Sequence, residues 1–174
     1  SRYKGVKSIR KEYKYHASLD DSVPLINADE AWLRLDSVGQ SVTGTGIKIA
    51  IIDTGIEYGQ SALGACMGVE CKVLGGYDFV NDDGDPMDDH GHGTHVGGTV
   101  GALDNSIGVV GVAAQVTLHA GKICNSRGSC PNSSTIAALD WVTAEVTARG
   151  EAAVVNMSIG GSGSVTGTCT NSGF

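Results

Sequence analysis

The chain has 174 residues and a formal net charge of −7, which suits one domain with a core, not comfortably two, and argues against nucleic acid as a main partner. Gly is in excess, 26 residues against three Pro with no Gly-X-Y period, which excludes collagen and disordered linkers and points to tight strand–helix turns. No apolar run approaches the ~18 residues needed to span a bilayer, so no membrane is expected as a partner.

A basic run between Arg2 and Lys14 opens the chain and reads as a solvated face. Residues 46–53 form a short β-branched run that begins on Gly and ends on an acid. Such a run predicts a buried strand with Asp53 at its C-terminal edge. Residues 73–80 predict a second strand, followed by the acidic loop 81–86. Residues 93–103 are rich in small side chains and predict a buried helix entered directly after His92. A third strand is predicted over 116–123. Pro131, Asn132, Ser133 and Ser134 then offer N-cap chemistry for a helix in which Ile136, Leu139, Val142 and Val146 recur, closed by Gly150. Residues 152–159 predict a fourth strand, ended by Gly160 and Gly161, and residues 162–174 carry no period. Strands alternating with helices imply right-handed βαβ units: an α/β fold with a mostly parallel sheet and helices on both faces. Chemistry in such sheets gathers beyond the carboxyl ends of the strands, where Asp53, Ser158, Ile159 and Gly160 fall.

Five Cys form two local pairs, Cys66 with Cys71 and Cys124 with Cys130, and leave Cys169 over. Short, turn-rich pairs favour disulfides in an oxidising compartment; free buried thiols are the alternative. The spacings match no common zinc knuckle.

The densest chemistry is Asp88-Asp89-His90-Gly91-His92-Gly93-Thr94-His95. His-x-His-x-x-His admits a metal reading, although it lacks the i, i+4 pair and acid of the helical zinc proteases. The competing reading is one catalytic His at a helix entrance, oriented by a carboxylate from another strand end, as nucleophilic serine catalysis requires.

Two segments, Ile51-Ile52-Asp53-Thr54-Gly55-Ile56 and His92-Gly93-Thr94-His95-Val96-Gly97-Gly98-Thr99, resemble the first two active-site signatures of the subtilisin-like serine proteases, in that family's order. Val155-Asn156-Met157-Ser158-Ile159-Gly160-Gly161 is similar to its substrate-binding strand, and residues 103–113 to the stretch after its catalytic helix. The likeness runs from about Ala31 to about Gly163. It implies a subtilisin-like α/β fold, present here in its N-terminal part, with Asp53 as triad acid and His92 as general base. It makes His95 structural and leaves His90 a solvated loop histidine. Gly128, Ser129 and Cys130, and Ser158, Ile159 and Gly160, become two backbone rails for an extended peptide, the second also walling the pocket for the residue before the scissile bond.

The resemblance also implies calcium as a structural cofactor. Asp78, Asn81, Asp83, Asp85 and Met87 are spaced like a site of thermostable members, with a plain solvated turn as the alternative. A second site would use Leu103, Asn105, Ile107 and Val109, but the acid expected soon after Asp53 is replaced by Gln60-Ser61-Ala62-Leu63.

Residues 1–20 look like the C-terminal end of an inhibitory propeptide, with a plain extension as the alternative, and 21–174 like the N-terminal part of the peptidase domain. No Gly-Thr-Ser nucleophile motif occurs in the 174 residues, so the triad serine and oxyanion segments are expected outside them and the fragment alone is expected to be inactive. Cys169 fits a partner cysteine further on. The implied picture is a secreted endopeptidase, monomeric when complete, whose partners are peptide or protein substrates and its own propeptide. The alternatives are a non-catalytic peptide-binding scaffold and a metal-binding module on His90, His92 and His95.

Overall fold

The apolar run that ends on Asp53 becomes β1, Lys48–Asp53, an inner strand of a four-stranded sheet. The computed structural model describes residues 22–161; the propeptide-like segment 1–20, the run 162–174 and Cys169 lie outside the described residues. Two short helices come first, α1 at Ser22–Leu25 and α2 at Ala28–Trp32. Then follow β1, β2 at Val73–Asp78, α3 at His92–Gly101, β3 at Thr117–Lys122, α4 at Asn132–Arg149 and β4 at Ala153–Asn156. The sheet order is β2-β3-β1-β4, and every pairing is parallel.

Successive β1 side chains point to opposite faces, so its apolar run, residues 49–52, needs cover on both. On one face Ile51 joins Leu118, Ala120, Ile56 and Leu63, closed by Val96 and Val100 of α3. On the other, Ala50 and Ile52 pack with Ala138 and Val142 of α4. Each buried Ile is worth roughly 1.5–3 kcal/mol, so this double cover sets the sheet's position between the helices.

All four predicted strands and both predicted helices form, with ends trimmed by a few residues. Two details differ. The start of α4 has no side-chain cap: Pro131 is the N-cap residue, Ser134 donates instead to the Phe79 carbonyl, and Thr135 turns back to Pro131. The fully buried residues of α4 are Thr135, Ala138 and Val142; Leu139 and Val146 pack half-buried beside them, and Ile136 is exposed. Gly150 closes α4 in the left-handed conformation (φ 64°), as expected.

Candidate active site

Asp53 ends β1 and is fully buried. Its main-chain carbonyl accepts the N–H groups of Ile123 (2.8 Å) and Cys124 (3.2 Å), which pins the strand end to the segment after β3. Its Oδ1 accepts the Thr54 N–H at 2.7 Å and lies 2.7 Å from Nδ1 of His92. An ionised carboxylate only accepts, so the ring donates through Nδ1 and its Nε2 is left as an acceptor. The His92 side chain is 44% exposed, so an inaccessible acid orients an accessible base. Oδ2 of Asp53 is buried with no hydrogen-bond donor among the described residues.

The couple depends on where α3 begins, because His92 is the first residue of that helix. A Cβ on Gly93 would stand 2.2 Å from the Gly55 carbonyl oxygen and 3.1 Å from Cβ of Asp53, so only Gly lets the helix start this close to the strand end. Asp88 then ties the two segments together. Its Oδ1 accepts the Thr54 hydroxyl and the N–H groups of His90 and Gly91, each at 2.9 Å. Its Oδ2 accepts the N–H and hydroxyl of Thr94. The Thr54 oxygen in turn accepts the Gly93 N–H at 2.8 Å. Burial works to raise the Asp88 pKa, but the hydrogen bonds from Thr94, Gly91 and His90 outweigh it and hold the carboxyl below its ordinary value. A second tie runs through Lys122 at the end of β3. Its buried ammonium donates to Asp89 (2.6 Å), the Thr54 carbonyl (2.8 Å) and the Cys124 carbonyl (3.1 Å), using all three of its hydrogens.

His92 opens onto a cleft of about 610 Å³. Of the predicted rails, Gly128, Cys130, Ser158, Ile159 and Gly160 line it together with Asp53 and His92. Ser129 is not among the lining residues; its N–H is held by Oδ1 of Asn125 at 3.2 Å. The loop 125–130 is closed by the disulfide Cys124–Cys130, and a second disulfide joins Cys66 to Cys71, so both local pairs are bridged. A further cavity of about 870 Å³ continues the cleft and shares Gly128, Cys130, Ile159 and Gly160 with it.

The three histidines do not converge. The rings of His90 and His92 are 6.4 Å apart edge to face, whereas His95 lines a different cavity with Glu57 and Gln60. No group of three His, Cys, Asp or Glu side chains able to hold a metal occurs among the described residues.

Asp78 spends Oδ1 on the N–H groups of Val80 and Asn81, and Oδ2 on the Asn81 side chain. Asp83 accepts the Asp85 N–H, and Asp85 accepts the Tyr58 hydroxyl. These carboxylates already serve the loop's own donors. The loop 103–110 instead wraps a cavity of about 450 Å³ lined by Leu103, Asp104, Asn105, Ile107 and Val109. Asn105 spans to the Ser61 carbonyl, so the 60–63 segment does reach this loop although it lacks the acid.

Sequence reasoning assigned no role to Asp88, Lys122 or Arg127, which borders the cleft. Asp88 carried a signal: an acid four residues before the helix-opening His92, placed to receive the free N–H groups of the first turn. Lys122 carried none, since a lysine closing a strand is usually solvated.

The Subtilase family model matches residues 44–172. Subtilisin DY of Bacillus licheniformis is 42% identical over 139 residues, covering 80% of this chain and 44% of that protein. Subtilisin E of Bacillus subtilis is 40% identical over 123 residues, 70% of this chain and 29% of that protein. Among solved structures, a cold-adapted subtilisin-like serine proteinase superposes with a TM-score of 0.56 at 33% identity, over 77% of this chain and 44% of that one. The CspB protease of Clostridium perfringens gives a TM-score of 0.58 at 25% identity, over 68% and 29%. The chain thus spans less than half the length of these relatives.

Proposed function

Because this chain belongs to the subtilase family, we propose that it supplies the acid and the base of a serine endopeptidase whose nucleophile lies in sequence beyond these 174 residues. The observation that carries the reading is the 2.7 Å bond from a fully buried Asp53 to a cleft-facing His92, between two lengths of backbone. Nε2 of His92 takes the proton of the serine hydroxyl as the serine attacks the scissile carbonyl, then returns it to the departing amine. Asp53 holds the tautomer and stabilises the imidazolium. Main chain at Gly128 to Cys130 and at Ser158 to Gly160 pairs with an extended peptide. Without the serine and the oxyanion donor the 174 residues alone hydrolyse no peptide, a loss of the order of 10⁶ in rate.

Two disulfides fit an oxidising, secreted setting. Among the described residues no helix is long and apolar enough to cross a membrane. The propeptide partner rests on the likeness of residues 1–20, and a monomeric state on the family resemblance. Calcium as a structural ion rests on the family resemblance, at Leu103, Asn105, Ile107 and Val109 or at Asp78, Asn81, Asp83, Asp85 and Met87; in both loops a side-chain oxygen already accepts a main-chain N–H, Asn105 from Ile107 and Asp78 from Val80.

The test is hydrolysis of an internally quenched peptide by the protein expressed from its complete coding region. The expected result is turnover that falls by about 10⁴-fold or more in His92→Ala. Turnover untouched by that substitution would overturn the assignment.

A further inference from the structure

The lining of the cleft beside His92 is balanced in formal charge, unlike the acidic chain. The chain carries a net charge of −7, whereas among the described residues one cation, Arg127, and one carboxylate, Asp53, line this cleft, the latter buried and bonded to His92. The adjoining cavity has no ionisable lining residue among Asn132, Thr135, Met157 and Ile159. The nearby acids are engaged elsewhere: Asp88 receives the helix-entrance donors and Asp89 pairs with Lys122.

Arg127 is held in place from its backbone. Its N–H donates to Oδ1 of Asn125 at 3.0 Å, within the loop that Cys124–Cys130 closes. The guanidinium has no carboxylate partner among the described residues. The next residue, Gly128, is left-handed (φ 72°), and a Cβ there would stand 3.2 Å from Nε2 of His90. The His90 ring therefore lies against the loop that carries Arg127, and both residues line the cleft.

An extended peptide directs successive side chains to opposite sides. On the proposed function, which this inference rests on, the side chain before the scissile bond points to the wall at Ser158 to Gly160. The residue preceding it then faces His92, His90 and Arg127, and the one two further back faces the uncharged cavity. We infer that this subsite selects an acidic side chain, Asp or Glu, one residue before the residue whose carbonyl is attacked, with Arg127 as its ion-pair partner and His90 as a second hydrogen-bonding group.

The test uses the protein from its complete coding region and three quenched peptides that differ only by Glu, Gln or Lys at that position. An ion pair open to solvent predicts kcat/KM about two- to fivefold higher for Glu than for Gln, lower again for Lys, and compressed by added salt. Arg127→Gln should remove the Glu preference, and Arg127→Glu should transfer it to Lys. Cleavage of all three peptides with the same ratios in wild type, Arg127→Gln and Arg127→Glu would overturn the subsite while leaving the peptidase reading intact. Cleavage of none by any of the proteins would overturn the peptidase reading, and the subsite with it.

Discussion

Replacing Asp88 with Ala tests whether the helix entrance, and through it the Asp53–His92 couple, hangs on one carboxylate. Five hydrogen bonds converge on Asp88. The N–H groups of His90 and Gly91 belong to exposed residues and can turn to water at little cost. The Thr54 hydroxyl, on a residue 2% exposed, and the part-buried Thr94 N–H cannot. Stranding each costs about 1–3 kcal/mol, so Asp88→Ala should destabilise the full-length protein by roughly 2–6 kcal/mol. Urea unfolding should show a lower midpoint at an unchanged slope. The Thr54 oxygen also receives the Gly93 N–H, so His92 should shift against Asp53, and a displacement near 1 Å costs about 10²-fold in kcat. The folded pKa of Asp88 is depressed, so its contribution is complete above the ordinary carboxylate pKa and is lost as pH falls through the folded value. Wild type should therefore lose its advantage over Asp88→Ala in strong acid. A variant within about 0.5 kcal/mol of wild type and with unchanged kcat would refute the reasoning.

Gly93→Ala places a methyl 2.2 Å from the Gly55 carbonyl oxygen, so the helix entrance must move. Its kcat should fall at least about 10²-fold with KM affected less, read from steady-state kinetics. Lys72 is buried, donates to the Ala114 and Val116 carbonyls, and has its pKa lowered by burial to about 8. Between about 8 and the unfolded value of 10.5 the unfolded chain binds more protons, so stability attributable to Lys72 rises with pH, by up to about 3 kcal/mol. The stability difference between wild type and Lys72→Met, followed by urea unfolding at pH 7 to 10.5, should move in wild type's favour as pH rises. A chelator should lower the thermal midpoint, with recovery on adding calcium but not magnesium. That response should be lost in Asn105→Ala, and stabilisation reaches about 2.7 kcal/mol when free ion is 100 times the dissociation constant.

What the sequence made legible is local or periodic. The run into Asp53 is apolar on both faces because both faces are covered, and that pattern needs no knowledge of partners. Asp53 and His92 could be named because the two segments that hold them resemble active-site signatures of the subtilisin-like proteases, at a strand end and at a helix entrance. The supports were hidden because their partners are distant in sequence. Asp88 reaches Thr54 across 34 residues, and Lys122 reaches its carbonyl across 68. Of the apolar residues that recur along α4, Leu139, Val142 and Val146 do meet the core, and Ile136 lies exposed. The specificity side chain, Arg127, is an ordinary exposed loop arginine until the fold sets it on the rim of the cleft.

The most direct test of the central claim is labelling of the protein from its complete coding region by a serine-reactive phosphonate, with the modified residue mapped by mass spectrometry. The account predicts one labelled serine beyond residue 174, with labelling lost in both Asp53→Ala and His92→Ala. A full-length protein that never labels, or labelling that survives both substitutions, would contradict it.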